Sequence, residues 1–273
     1  MTGTTIWAAF AAVSVALCII MQGAWLIWRA TRNAGWIDTV WTFGLGGVGC
    51  ASAIAALAAA TGFAPRATIV AGLVAIWAGR LGSHIAKRTS GIKDDPRYAK
   101  LAEGFGKNAA RGMFWICQKQ AWVSVPLAMS MLLAAWNPLP HLRIQDVLGI
   151  AALIVGIAGE ALADAQLKRF NRANKRSVCN IGLWSWSRHP NYFFEWFGWL
   201  AYPLIAIDLG GEYPLGWLAL LGPLCMYWVL VHITGVPPLE EHMLKTRGSA
   251  FRAYQARTNA FFPAPPRPAK AAP

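Results

Sequence analysis

Seven apolar runs constrain this chain more than any other feature of its sequence. We place them at residues 6–28, 37–60, 67–86, 113–135, 145–164, 192–208 and 214–235. About 20 apolar residues span the hydrocarbon core of a bilayer as a helix, and no alternating β pattern interrupts the runs. Lipid-exposed chain must satisfy its own backbone hydrogen bonds. The sequence therefore predicts an all-α integral membrane protein with seven transmembrane helices.

Composition supports this class. Of the 273 residues, 56% are apolar and only 14% are charged, which is too few charges for a soluble protein of this length. The net charge of +13 arises from basic residues between the apolar runs rather than along one soluble face. We therefore expect membrane lipids, and no nucleic acid, as partners.

The basic residues predict the orientation. Of the 25 Lys and Arg, 21 lie in every second connection and in the tail, while the opposite connections hold only Arg66 and Arg143. Cytoplasmic loops carry such an excess, so we expect the N-terminus outside and the C-terminus in the cytoplasm. We expect one membrane domain over residues 1–262. It has cytoplasmic loops at 87–112 and 165–191 and a cytoplasmic segment at 236–262, and a disordered tail follows at 263–273.

A glycine pattern and the spacing of the cysteines and histidines do not indicate functional sites. Residues 44–49 match G-x-G-x-x-G, but they lie inside an apolar run without a preceding strand, so close helix packing is the better interpretation. The five cysteines are scattered, and no two histidines have ligand spacing. We expect neither a disulfide framework nor a metal site.

A carboxylate opens the second run. Asp38 either caps the free N–H groups of a helix start or is a buried, protonated acid that hydrogen-bonds a substrate carbonyl. A stripe of polar and aromatic side chains on the second and third runs is expected to line the same substrate cavity: Trp36, Trp41, Trp77, Arg80 and His84.

Acidic and basic residues follow one another along the fifth run. Glu160, Asp164 and Lys168 share one helical face, which is either a solvated helix end or an intramembrane functional site. The basic residues that follow, Arg172 and Arg176 among them, either contact anionic lipid or form a phosphate clamp.

Three polar stretches complete the candidate cofactor site. The densest is Asn180–Glu195, which has more directional hydrogen-bonding groups than a simple connection requires. The turn at 93–98 and the tail are the others; a chance turn and a plain membrane-surface helix are their alternatives. The residues expected to contact a cofactor here are Asp94, Asp95, Arg97, Tyr98, Asn180, Ser187, Arg188, His189, Asn191, Tyr192, Glu195, Glu241, His242 and Tyr254.

The motifs at 182–195, 235–241, 254–263 and 94–98 together resemble the bacterial branch of the membrane steroid 5α-reductase family. The resemblance implies a seven-helix bundle in the bacterial inner membrane, a cytoplasmic NADPH site, and reduction of a conjugated enone in a lipidic substrate such as a 3-oxo-Δ4 steroid. It implies cofactor contacts at Asp164, Asn191 and Glu195 and at basic residues near Lys168 and Arg176. Asp38 approximates the family's substrate acid, and Trp77 falls near the position of its partner.

Two other functions remain open. Residues 187–192 are also similar to the isoprenylcysteine and phospholipid methyltransferases, which use S-adenosylmethionine. That cofactor carries no phosphate, so the basic run favours NADPH. A lipid-binding or transport protein without catalysis is the third hypothesis, and it leaves the polar density of 180–195 unexplained.

Overall fold

The fold is all-α, as the apolar runs predicted. A computed structural model of the chain describes residues 3–59, 62–174 and 177–268. Among these residues the only strand-like pairing is an isolated parallel bridge between Ser187 and Asn259.

The α-helices follow the chain in this order: α1 (Gly3–Thr31), α2 (Gly35–Ala58), α3 (Ala64–Ser90), α4 (Pro96–Gly104), α5 (Ala109–Ala135), α6 (Ile144–Ala173), α7 (Pro190–Trp199), α8 (Ala201–Ala206), α9 (Leu221–Trp228) and α10 (Val236–Arg257). Short 3₁₀ segments occupy Gly106–Asn108, Gly182–Ser185 and Pro214–Leu220, and a π-helical segment, Val229–Ile233, extends α9. α10 is kinked at Gly248, where φ is 50°.

Among the residues that the structure describes, five helical segments are long and apolar enough to cross a membrane, which indicates a multi-pass membrane protein. They are Thr5–Thr31, Gly35–Ala58, Ala64–Ser90, Ile144–Ala173 and Pro214–Arg257. The fourth and sixth predicted spans do not belong to this group. Polar residues at 118–120 lower the hydropathy of α5, and α7 and α8 are separate short helices that meet at Leu200.

The described chain divides into two compact units where the sequence suggested one domain. The first unit comprises Met1–Val147 and Tyr202–Gly222, and the second comprises Leu148–Ala201 and Pro223–Pro273. Each unit is therefore built from two separate stretches of chain.

Small residues let α2 pack closely within the first unit. A Cβ added at Gly46 would lie 2.3 Å from the Cβ of Ala78 in α3, and one at Gly49 would lie 2.4 Å from the Sδ of Met131 in α5. The G-x-G-x-x-G residues lie wholly inside α2. Their interpretation as packing glycines is confirmed.

Gly46→Val should destabilise the first unit by about 1–3 kcal/mol, because the added side chain overpacks the contact of α2 with α3. Gly47→Ala is the matched control, since no atom lies within 4 Å of its added Cβ. Thermal unfolding in detergent measures both. Equal melting points for the two variants would contradict the packing role of Gly46.

A buried arginine holds together the end of the first unit that contains residues 137–146. Arg66 is fully buried, and its guanidinium donates to both carboxylate oxygens of Asp146 at 2.9 and 3.0 Å. It also donates to three main-chain carbonyls within 137–141 at 2.5–3.1 Å. Arg143 lies 3.4 Å from the same carboxylate. The two arginines that the sequence assigned to non-cytoplasmic connections therefore share one acid.

The C-terminal segment is ordered against the second unit as far as residue 268. The amide of Ala264 donates to the carbonyl of Trp186 at 3.0 Å, and that of Arg267 donates to the carbonyl of Arg257 at 2.8 Å. These two backbone hydrogen bonds lie within the stretch at 263–273 that the sequence predicts as a disordered tail. Residues 269–273 lie outside the described residues.

Candidate functional site

A carboxylate at the start of α2 is the centre of a polar cluster in the first unit. Oδ1 of Asp38 accepts a hydrogen bond from the hydroxyl of Tyr98 at 2.8 Å, and Oδ2 accepts one from Arg97 at 2.7 Å. Gln120 in α5 donates to the Tyr98 hydroxyl at 2.8 Å. The guanidinium of Arg88 lies 4.0 Å from Asp38. We call these five residues the Asp38 cluster.

The geometry around Asp38 suggests a role in positioning other side chains, in addition to the two roles that the sequence left open. Its side chain is 21% exposed, and it accepts from two donors beside two guanidinium groups. The Tyr98 hydroxyl and the Arg97 guanidinium are the two donors that Asp38 holds directly.

The turn before α4 has a structural explanation that the sequence did not reveal. Oδ1 of Asp94 accepts from the amide of Ala34 at 2.7 Å, which ties the turn to the start of α2. Asp95 caps α4 by accepting from the amide of Arg97 at 3.0 Å. In this arrangement Asp94 and Asp95, predicted as cofactor contacts, hold Arg97 and Tyr98 in place.

Two groups in this turn have shifted pKa values. Burial opposes ionisation of Asp95, but its hydrogen bonds with Arg97 and the charges of Arg97 and Arg88 outweigh burial and lower its pKa. Burial, reinforced by the charge of Asp38, raises the pKa of Tyr98 well above its ordinary value. Tyr98 therefore keeps its proton at physiological pH and remains a donor.

The predicted substrate residues lie in the first unit. Trp77 is buried, with 2% of its surface exposed, and packs edge-on against Trp41 with 6.4 Å between ring centroids. The indole of Trp41 donates to a hydroxyl of α5 at 2.6 Å. Trp36 and Arg80 are half-buried and His84 is exposed. The structure thus brings Trp41 and Trp77 together, and their apolar rings suit a lipidic substrate better than proton transfer.

In the second unit, two glycines bring α6 and α7 into backbone contact. A Cβ added at Gly156 would lie 2.7 Å from the Cα of Gly198. Small residues permit such approaches between membrane helices. Further along the pair, Nδ2 of Asn191 donates to Oδ1 of Asp164 at 3.3 Å. The sequence analysis selected both Asp164 and Asn191, whereas the contact between Gly156 and Gly198 is visible only in the structure.

More acceptors and cations lie on the same two helices. Glu160 is buried one turn before Asp164, and Glu195 accepts from the indole of Trp199 at 2.9 Å. Beyond them on α6, Lys168 and Arg172 are exposed, while the predicted phosphate ligand Arg176 lies outside the described residues. We call Glu160, Asp164, Asn191 and Glu195 the α6–α7 acceptor cluster.

Arg188 is held by the protein itself. Its Nε and one terminal nitrogen donate to the two carboxylate oxygens of Glu240 at 2.7 and 3.1 Å, and the other donates to the carbonyl of Thr258 at 2.5 Å. Nε2 of the buried His189 lies 3.0 Å from the same carboxylate, and Gln255 donates to it at 2.7 Å. All three nitrogens of Arg188 are therefore occupied, and a phosphate would have to compete with Glu240 for them.

Glu240 is the residue that the sequence analysis missed at this site. Its neighbour Glu241, which was chosen instead, is exposed and pairs with Lys245 at 2.5 Å, and His242 is also exposed. Glu240 meets Gln255, 15 residues away in the chain, because α10 changes direction at Gly248, and no local sequence pattern signals that contact.

The other predicted cofactor residues of this unit divide between structure and surface. Ser187 is fully buried and donates to the carbonyl of Phe261 at 2.8 Å. Tyr254 donates to the carbonyl of Trp184, and Tyr192 stacks on His189 with 5.5 Å between ring centroids. Asn180 is exposed and lines a cleft.

Comparison with known proteins assigns a family. The family model described as a protein of unknown function, DUF1295, matches residues 24–258. The chain belongs to the DUF1295 family. No curated protein and no solved structure matches it. Within the portion of this DUF1295 chain that the structure describes, no three His, Cys, Asp or Glu side chains are grouped as metal ligands would be.

Proposed function

We propose that this protein is an NADPH-dependent reductase that reduces the C=C bond of a conjugated enone in a lipidic substrate, such as a 3-oxo-Δ4 steroid. The observation that carries the proposal is the α6–α7 acceptor cluster, in which Asp164 and Asn191 meet at 3.3 Å, with Glu160 one turn before Asp164 on α6 and Glu195 one turn after Asn191 on α7. Ribose hydroxyls and a carboxamide are hydrogen-bond donors, and such a cluster is complementary to them.

The charge along α6 supports a dinucleotide in particular. The acceptor cluster is followed on the same helix by the exposed cations Lys168 and Arg172. Basic side chains bind phosphate oxygens, Arg bidentately and Lys as a point charge. Acceptors followed by cations match a ligand whose ribose and amide donors are joined to anionic phosphates. NADPH would therefore fit these residues.

The Asp38 cluster is the proposed device for polarising the substrate carbonyl. Bound NADPH would supply a hydride for the β-carbon of the enone. Arg97 can donate a hydrogen bond to the oxygen, where negative charge develops, and Tyr98 can do so when its one proton turns from Asp38 to the substrate. Asp38 is a positioning residue, because its carboxylate holds both donors. A proton from solvent would complete the α-carbon.

We also propose seven spans, with the N-terminus outside and the cofactor bound in the cytoplasm. α5 supplies the fourth span, and residues 190–206, which form α7 and α8, supply the sixth. The buried pairing of Arg66 with Asp146 supports the orientation, because it removes one of the two basic charges from the non-cytoplasmic side. A bacterial inner membrane would deliver the lipidic substrate from the bilayer.

One observation favours a second candidate function. Because Glu240 occupies Arg188, one of the predicted phosphate ligands is already engaged. A methyltransferase that uses S-adenosylmethionine needs acceptors for ribose but no phosphate clamp. The acceptor cluster would serve that cofactor as well.

Ligand titration separates the candidates. In detergent, NADPH should raise the melting temperature more than NADH or S-adenosylmethionine, and NADPH should be consumed when a 3-oxo-Δ4 steroid is added. Asn191→Ala should weaken NADPH binding about 10- to 100-fold, because it removes a hydrogen bond of a charged network. The exposed Asn108→Ala is the control. Stabilisation by S-adenosylmethionine alone would exclude the reductase.

A further inference from the structure

The residues that line one cleft in the second unit include none of the four residues of the acceptor cluster. The volume of this cleft is about 450 Å³, which is within the range of small-molecule sites. It is bounded by the connection after α6, by the end of α10 and by the C-terminal segment. The polar residues of its wall are Ser177, Asn180, Ser185, Tyr254, Arg257 and Thr258.

In the part of the chain that the structure describes, no carboxylate pairs with the positive charge at this cleft. Elsewhere in the second unit, Arg188 is paired with Glu240 and Lys245 with Glu241. By contrast, Arg257 is exposed, and its Nε meets only a main-chain carbonyl, at 3.4 Å. Within the described residues it forms no ion pair, and the residues that line the cleft include no carboxylate.

A second cation stands at the rim. The Nε of Arg247 donates to the carbonyl of Ser177, a wall residue, at 3.3 Å. Arg247 likewise has no carboxylate partner in the described portion of the chain. Two guanidinium groups beside hydroxyls and an amide suit a sugar phosphate. Guanidinium groups bind the phosphate oxygens, and the hydroxyls can form hydrogen bonds with the sugar.

We propose that this cleft binds the 2′-phosphate of the adenosine ribose of NADPH, with Arg257 as its principal ligand and Arg247 at its edge. The inference rests on the proposed function. It adds the origin of a preference for NADPH over NADH, since the two cofactors differ only in this phosphate. A phosphate monoester carries a charge of about −1.5 to −2 at neutral pH, whereas a lipid phosphodiester carries one, so the two guanidinium groups favour the monoester.

The test is cofactor discrimination by the full-length protein in detergent. Arg257→Ala should weaken NADPH binding about 10- to 100-fold while NADH binding changes less than about twofold, because only NADPH loses a charged contact. Arg257→Lys should recover part of the loss. Arg252→Ala, on the exposed surface of the same helix and outside the cleft, is the matched control. The nucleotide 2′,5′-ADP should compete with NADPH, and 5′-AMP should compete far less.

Each contrary result is informative. If Arg257→Ala weakens the binding of NADPH and of NADH equally, the cleft does not bind the 2′-phosphate, although the reductase proposal stands. If phosphatidylglycerol in nanodiscs protects wild-type protein but not Arg257→Ala from unfolding, and 2′,5′-ADP does not compete, the phosphate belongs to a lipid and the inference is overturned. If NADPH fails to bind wild-type protein, the proposed function fails and the inference fails with it.

Discussion

Asp146→Ala should destabilise the first unit by about 3–5 kcal/mol, because it leaves a buried guanidinium without its counter-charge. Arg66 has no exposed surface, and Asp146 occupies two of its nitrogens. The main-chain carbonyls around Arg66 satisfy hydrogen bonds but do not neutralise its charge. Thermal unfolding in detergent, followed by the loss of monodisperse protein, measures the effect.

Two companions make this result interpretable. Lys245→Gln breaks an exposed ion pair and should leave the melting temperature unchanged, because solvent screens such pairs. The double variant Arg66→Met, Asp146→Leu removes both charges and should be more stable than Asp146→Ala alone. If Asp146→Ala has the same melting temperature as the wild-type protein, the ion pair of Arg66 and Asp146 does not stabilise this unit.

Tyr98→Phe should lower kcat for enone reduction about 10²- to 10³-fold, the loss typical of removing one donor from a developing oxyanion. Binding of NADPH should be unchanged, since the acceptor cluster and the cleft are untouched. The hydroxyl is the only atom removed, so folding should be retained. Stopped-flow oxidation of NADPH with saturating steroid measures the chemical step.

Asp38→Asn tests the positioning role of the carboxylate. It should reduce kcat and also alter KM, because the amide keeps only one acceptor oxygen and can no longer hold both Tyr98 and Arg97. Tyr227→Phe, in the second unit, is a control for loss of a tyrosine hydroxyl. Full turnover by Tyr98→Phe would remove Tyr98 from the mechanism, and full turnover by Asp38→Asn would show that the donors need no anchor.

The positions of several helices could be predicted from the sequence, because the length of an apolar run indicates where a membrane helix begins and ends. The runs at 6–28 and 37–60 correspond to α1 and α2, and residues 44–49 were placed correctly inside a helix because a dinucleotide turn needs a strand before it. The break at Leu200 was not accessible, since residues on both sides of it are equally apolar. Nor does composition report the separation into two units.

The candidate site divides in the same way. Asp164, Asn191 and Glu195 were identified from their polar character and from resemblance, and the contact of Asp164 with Asn191 agrees with that grouping. The pairing of Asp38 with Arg97 joins positions far apart in the chain, which no local pattern encodes. The choice between Glu240 and Glu241 depended on the rotational position of α10, which a kinked helix does not reveal in advance.

The two units alternate along the chain, and this order has a consequence for biogenesis. The amide of Asn137, in the first unit, donates to the carbonyls of Ile205 and Ala206, and the guanidinium of Arg143 donates to the carbonyls of Ile205 and Ile207. The ribosome makes those carbonyls only after it has made Leu148–Ala201, which belong to the second unit. The connection between α5 and α6, which contains Asn137 and Arg143, is therefore synthesised before the carbonyls that accept its hydrogen bonds exist.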